Sequence, residues 1–544
     1  MSKKITFILL IGVIVLASIL RLWQLGKVPP SPDWDEASLG YNAYSIMQTG
    51  RDEYGKFLPV VLRSFDDYKP ALYAYFVIPF IKLVGLNIYA VRLPAVIFGI
   101  LAVLATFLLV KELLSNVKTA LLASFFMAIS PWHLQFSRIA FESGVGMAFN
   151  IFSALFFIKG LKKPLYLSLS FALMSLNLYI YQSEKVFTPI LAVILIIVFR
   201  KQLFSISKKY LMAALIIGAI ISLPIINFTF TDKEALARAK GVSVFADSTP
   251  LLKENVQKII EDKKNNDFIG LVLDNRRIVF AKTTVSGYLS HFDLNWLFIT
   301  GDIARHHAPN MGLLYLWDLL FLFIGIFVLL FGKFDKKVKF LLFLWFLAAP
   351  IPASITSGVP HAVRTLNFLP TFQIFIAIGV LFAAQKISNF KFQIKYPIYV
   401  LVLLFFIFNF SYYLNQYFIQ QNYFNAKEWQ YGYKDAISIV KKVENNYKKI
   451  VVSNQPPMDQ SYIFFLFYLE YPSSLYQKEA QYSSGGFREN HAFGKFEFRP
   501  IEWSKENRNG DTLYIGRPNH FQDSANVLAR INYPDGQTAI ELVE

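Results

Sequence analysis

A polar loop, Ser31-Pro32-Asp33-Trp34-Asp35-Glu36, follows closely on an apolar run from Ile5 to Leu22. Carboxylates placed beside a membrane surface are costly, because partial desolvation penalises the charged form. Such a cluster suits the handling of a proton or a cation better than the stabilising of a fold. Asp35 can act as a general base on an acceptor hydroxyl or as a metal ligand, with Glu36 supporting it. A local reading is compatible with this one. Asp33 or Asp35 can cap a helix starting near Glu36, where carboxylates suit the helix dipole.

Further chemistry-bearing residues are spread along the chain. Lys69, in Asp66-Asp67-Tyr68-Lys69-Pro70, is suited to a phosphate at headgroup level or to plain snorkelling. Arg138 and Glu142 lie four apart, so they can pair on a helix, or Glu142 can face Asp35 as a second acid positioned by Arg138. Gly301-Asp302-Ile303-Ala304-Arg305-His306-His307 and Pro360-His361-Ala362-Val363-Arg364 add two basic clusters. Arginine forks match phosphate oxygens, and histidines can donate to them or bind metal. The candidates for a divalent ion are Asp35, Glu142 and His306.

These residues need a membrane scaffold. The chain has 544 residues, of which 55% are hydrophobic and 17% aromatic, with a mean hydropathy of +0.41. This is a polytopic α-helical membrane protein by composition. Cysteine is absent, which excludes disulfides, thiol catalysis and cysteine-held zinc or iron–sulfur clusters. Apolar runs predict about eleven spans, near 5–22, 91–110, 119–136, 141–158, 165–181, 186–199, 210–228, 313–331, 338–354, 367–384 and 396–415. The run 71–85 is short and carries Pro79 and Lys82, so it is expected to lie on the outer surface.

With Lys3 and Lys4 inside, the inner turns collect eighteen basic residues against Glu112 and Asp335. That accounts for sixteen of the seventeen net positive charges. The excess is the positive-inside signature and not a nucleic-acid footprint. The amino terminus is then cytoplasmic, and three large pieces share the outer face: 23–90, 229–312 and 416–544. In the middle piece Asp232–Lys240 and Leu251–Lys264 have helical character. The last piece reads as a soluble α/β domain, with a helix over Tyr433–Val443 and strands near 448–453 and 511–516. The domain boundary is expected at 415/416. Ionisable residues gather at one surface, Glu184 and Lys185 among them in a tight outer turn, whereas transporters place charges near the midplane.

In order and spacing these pieces resemble the GT-C class of membrane glycosyltransferases, and within it glycosyltransferase family 39. That family contains protein O-mannosyltransferases and lipid A aminoarabinose transferases. The resemblance covers roughly residues 1–415. It rests on Asp35-Glu36, the helix with Tyr41-Asn42-Ala43-Tyr44 ending at Thr49-Gly50, Lys69-Pro70-Ala71-Leu72, Val91-Arg92-Leu93-Pro94, and Ser137-Arg138 ahead of an acidic residue. Two departures stand out: Ala71 replaces the second proline of the common form, and Glu142 follows Arg138 at an unusual offset.

The resemblance implies a GT-C-type membrane domain and transfer of a sugar, with inversion, from a polyprenyl-phosphate donor to a protein, glycan or lipid hydroxyl. Asp35, Glu36 and Glu142 would form the catalytic group. Lys69, Arg92, Arg138, Arg305, His306, His361 and Arg364 would meet the donor phosphate. A divalent metal ion varies across the class. The expected location is the plasma membrane, with the site on the extracytoplasmic face. A polysaccharide ligase or polymerase using lipid-diphosphate oligosaccharides, or a lipid or solute transporter, are the competing readings.

Overall fold

The computed structural model describes the chain except for residues 66, 233–240, 242, 247, 248, 484–487, 523 and 524. Asp66, and the helix expected over 232–240 from residue 233 onward, therefore lie outside the described residues. All eleven apolar runs form helices. The first, α1 (Lys3–Leu22), starts where Ser2 Oγ accepts from the amide of Ile5, and it turns apolar side chains outward along most of its length. A helix apolar all round and largely unburied by its own chain is built for lipid.

The excursion after α1 holds α2 (Trp34–Thr49), an antiparallel hairpin of β1 (Val61–Ser64) and β2 (Asp67–Pro70), and α3 (Leu72–Val84). It ends where it began: Arg92 of α4 (Ile88–Leu114) donates to the carbonyls of Leu25 and Pro29, at 2.9 and 3.2 Å. The chain thus returns at Arg92 to the loop where the excursion began, with the 13-residue α3 inside that excursion. At the far end of α4, Glu112 pairs with Lys162 just beyond α7 (Ser143–Gly160), so the lysine-bearing turns lie together there.

The eleven helices differ in length. Among the described residues, seven helices are long and apolar enough to span: α1, α4, α7, α9 (Glu184–Leu203), α10 (Lys208–Thr231), Leu366–Ser388 and Phe392–Phe424. The others are shorter: α5 (Val117–Ile129), α8 (Leu165–Asn177), Leu316–Phe331 and Lys336–Ala348 have 13 to 16 residues, against about 20 for a bilayer. α5 stops at Ser130-Pro131, and the chain continues as the six-residue α6 (Pro131–Phe136). These short helices are wedged among long ones. A β-carbon on Gly325 would fall 1.8 Å from the carbonyl oxygen of Phe375, and one on Gly379 would fall 2.0 Å from that of Phe321. Only glycine lets the helices Leu316–Phe331 and Thr371–Ser388 touch backbone to backbone.

The end of the chain forms a mixed seven-stranded sheet in the order β4-β5-β6-β3-β7-β9-β8. Its strands are β3 (Lys449–Val452), β4 (Gln481–Tyr482), β5 (His491–Phe493), β6 (Phe496–Phe498), β7 (Thr512–Gly516), β8 (Val527–Asn532) and β9 (Thr538–Val543). β3 runs parallel to both β6 and β7, and the helix Tyr433–Val443 precedes it as expected. This α/β unit rests on the first excursion. The helix Ser461–Leu469 packs across α2 at Gly40, where a β-carbon would meet the Phe467 ring at 2.6 Å. Tyr41 Oη donates to the carbonyl of Tyr471 at 3.0 Å, Gln477 Nε2 donates to that of Asp52 at 2.8 Å, and Arg63 pairs with Glu489.

One inward polar cluster was not expected. Glu184 is fully buried, accepting from Asn150 Nδ2 at 2.6 Å and Asn367 Nδ2 at 2.7 Å, with Asn177 and Thr188 completing the network. The turn before α9 tucks inward, because the amides on neighbouring helices satisfy the carboxylate there.

Candidate active site

α2 starts with a reciprocal cap. The amide of Glu36 donates to Asp33 Oδ1 at 2.9 Å, and that of Asp33 donates to Glu36 Oε2 at 3.4 Å. This fixes the direction of the first turn. Glu36 then points inward and Asp35 outward.

Glu36 is wholly buried. Arg92 grips it with Nε and Nη2, both at 2.8 Å, and the amide of Ala140 donates to it at 2.8 Å. The oxygens of Glu36, expected in the catalytic group, are thus taken up by contacts within the fold. Arg92 uses its remaining donors on the carbonyls of Leu25, Pro29 and Ser31. Arg138 is saturated in the same way. It donates to the carbonyls of Leu20, Arg21, Trp23 and Val28 and to Tyr417 Oη. All five N–H groups of each guanidinium are engaged away from water, so neither is a phosphate ligand without dismantling the loop 20–31. Nor is Arg138 the ion partner of Glu142, which sits buried at the start of α7 with its carbonyl accepting from Val145 and Gly146.

Asp35 is about a third exposed and pairs with Lys69, the penultimate residue of β2. Asp33 is buried behind it. Arg305 Nη1 reaches Asp33 Oδ2 at 3.2 Å, while the Arg305 guanidinium lies 4.6 Å from the centre of the Trp34 ring. Burial, and then the charge of Asp35, push the Asp33 carboxyl up to about 7.

Arg305 belongs to a loop held from both sides: its carbonyl accepts from Gln135 Nε2 at 2.6 Å, and that of Ala304 accepts from Asn425 Nδ2 at 3.0 Å. Next to it, Asp302 Oδ2 lies 3.0 Å from His306 Nδ1 and accepts the amide of Ala362 at 2.5 Å. Burial alone would raise the Asp302 carboxyl, but the contact with His306 and the Ala362 amide hold it at about 2. Burial, and then the charge of Arg364, hold the His361 imidazole well below its ordinary range. The His361 amide donates to His291 Nε2 at 3.1 Å, so His291 carries its proton on Nδ1, toward the carbonyl of Gly287. Arg364 donates to Thr356 Oγ1 at 2.6 Å and to the carbonyl of Ser357 at 2.8 Å.

The structure pairs Lys69 with Asp35 and Arg305 with Asp33, and it groups Asp302 with His306 and His361, while the donors of Arg92 and Arg138 are taken up elsewhere. Of the expected metal candidates, His306 alone joins a group of three ligand-type side chains among the described residues, with Asp302 and His361. Asp35 faces an ammonium group, which opposes a cation there. Asp33 and Asp302 are the participants not assigned from sequence. Asp33 was visible only as a cap, and Asp302 only as a neighbour of two histidines.

The fold is that of the GT-C membrane glycosyltransferases. Residues 68–226 match the family described as dolichyl-phosphate-mannose-protein mannosyltransferase. The chain is similar to ArnT from Cupriavidus metallidurans, solved bound to undecaprenyl phosphate, with a TM-score of 0.56 at 11% identity over 99% of this chain and 98% of that one. It is similar also to the oligosaccharyltransferase of Archaeoglobus fulgidus in the apo form, with a TM-score of 0.53 at 12% identity over 95% of this chain and 70% of that one. In the complex of that archaeal enzyme, AglB, with an inhibitory peptide and a dolichol-phosphate, the TM-score is 0.53 at 12% identity over 86% of this chain. There the chain spans 64% of its relative's length. No curated protein sequence matches the chain.

Proposed function

We propose that the protein is an inverting glycosyltransferase. It moves a hexosyl or pentosyl group from a polyprenyl-phosphate donor to a hydroxyl of a protein, glycan or lipid, on the extracytoplasmic face of the plasma membrane. The amino terminus is then cytoplasmic, and the α/β domain from residue 416 extracytoplasmic. The observation that carries this reading is the Asp35–Lys69 pair at the start of α2, in a chain with the GT-C fold. The polyprenyl and dolichyl phosphates held by the structural relatives support the donor class.

In this reaction the acceptor hydroxyl gives its proton to Asp35 as its oxygen bonds to the anomeric carbon. The bond from that carbon to the phosphate oxygen breaks, and its electron pair leaves with the polyprenyl phosphate. Lys69 lies against Asp35 and can turn to the growing phosphate charge, with Arg305 as a second donor, a task of preorganised electrostatics. Arg364, His361 and Glu142 are retained as flanking residues with no assigned step. A cavity of about 620 Å³, lined by Trp34, Lys427, Gln430, Asp459, Arg517 and Tyr533, lies between the α/β domain and the start of α2 and is a candidate place for the acceptor.

The test is transfer from a polyprenyl-phosphate sugar by purified protein in nanodiscs. Wild type is expected to turn over and Asp35→Asn to fail while still binding donor. Near-wild-type turnover by Asp35→Asn would overturn the assignment.

A further inference from the structure

We propose that Asp302, His306 and His361 form a site for one divalent transition-metal ion of the zinc type, which clips residues 301–307 to residues 360–364. The three side chains each offer one ligand atom, and these atoms lie within 4.8 Å of one another. The rings of His306 and His361 lie beside each other, tilted by 39°, with centroids 5.1 Å apart.

A plain hydrogen-bonded triad accounts for only part of this arrangement. It explains Asp302 with His306, but it leaves Nδ1 of His361 buried and without a hydrogen-bond partner among the described residues. Buried polar nitrogens are rarely left so, and a ring nitrogen lone pair is what a metal takes. The backbone around the triad is already fixed. His291 holds the amide of His361, Asp302 holds the amide of Ala362, and the Phe136 and Phe141 rings pack His306. The donors are thus preorganised to converge.

The chemistry of the donor set selects the ion. Two imidazoles and one carboxylate suit zinc and its first-row neighbours, whereas magnesium and calcium prefer all-oxygen shells. One carboxylate against a doubly charged ion leaves room for water or an anionic ligand. The clip has a mechanical consequence too. Arg305 lies inside the clipped segment and reaches Asp33 and Trp34, so a bound ion would stiffen the wall beside Asp35. The inference does not depend on which reaction the protein catalyses.

The experiment uses the full-length protein in nanodiscs, stripped with chelator, reloaded with micromolar zinc and desalted. Metal is counted by mass spectrometry, and thermal unfolding is followed with and without zinc. Wild type is expected to hold about one zinc per chain and to unfold several degrees higher with it, since an ion that binds only the folded state stabilises that state. His361→Gln is the chosen variant, because its buried Nδ1 makes no hydrogen bond to lose. It is expected to lose both the zinc and the shift, while unfolding like wild type under chelator. Asp35→Asn is expected to keep both. Absence of zinc in loaded wild type, its retention by His361→Gln, or its loss from Asp35→Asn would each overturn the site.

Discussion

Glu36 receives the Arg92 guanidinium through two parallel bonds of 2.8 Å, both partners fully buried and 56 residues apart in the chain. The same arginine ties down three carbonyls of the loop that leads to Asp35. Breaking one side of such a pair leaves a buried charge uncompensated, at a cost of about 3–5 kcal/mol. Arg92→Met is therefore expected to lower the thermal midpoint more than Glu36→Gln, because it also strands the carbonyls of Leu25, Pro29 and Ser31. Unfolding of the purified variants, followed by intrinsic fluorescence, checks the order.

Asp35→Asn keeps the shape of the side chain and removes the proton acceptor. The expected loss in transfer rate is about 10²–10⁴, typical of a general base, with an unfolding temperature close to that of wild type. Single-turnover assays with saturating donor separate this from a binding defect.

The two kinds of arginine at the site are expected to fail differently. Arg305 is partly exposed and reaches Asp33 from a loop, whereas Arg138 is saturated by main-chain carbonyls. Arg305→Met should raise KM for the donor several-fold with the fold intact. Arg138→Lys loses the planar fork and should lower stability first. Donor titrations run beside thermal scans distinguish the two outcomes.

Asp33 makes stability depend on pH. Its carboxyl stands near 7 in the folded protein against an ordinary 3.8. Between these values the folded state keeps a proton that the unfolded chain has released, so stability falls as pH rises from about 4 to 7. Asp33→Asn keeps a good helix cap and should flatten that slope, leaving the variant more stable than wild type at pH 7.5. Glu53, raised by burial from 4.5 to about 8, is untouched by this change and leaves a residual fall across about pH 4.5 to 8, so the variant's slope is shallower than that of wild type rather than absent. Thermal midpoints across pH 4.5–8 test the prediction.

What could be read from the sequence follows the range of the interactions involved. The helices, the short α3 among them, are written locally in apolar runs. Their lengths are not, because Ser130-Pro131 ends α5 early and glycine contacts such as Gly325–Gly379 let short helices pack among long ones. The carboxylate loop was legible as chemistry, but the sorting within it was not. Asp33, Asp35 and Glu36 look alike in a sequence. Only the partners that meet them from residues 69, 92 and 305 decide which one faces solvent. Arg138 and Glu142 show the same limit: their spacing suits a helical pair, but the chain turns between them and Arg138 binds carbonyls near residues 20–28. The sheet order, with β3 flanked by β6 and β7, rests on pairings across more than forty residues, which no local pattern encodes.

The helix Ser461–Leu469 lies across α2 at Gly40, and this sets a schedule for biosynthesis. Asp35 is translated and delivered to the membrane more than four hundred residues before Phe467 arrives to brace its helix. Until then α2 lacks its outer support, and a chain stalled after the last membrane helix would carry Asp35, Lys69 and Arg305 without the Phe467 contact at Gly40. Loss of the helix Ser461–Leu469 is therefore expected to loosen α2 even where every membrane helix is present.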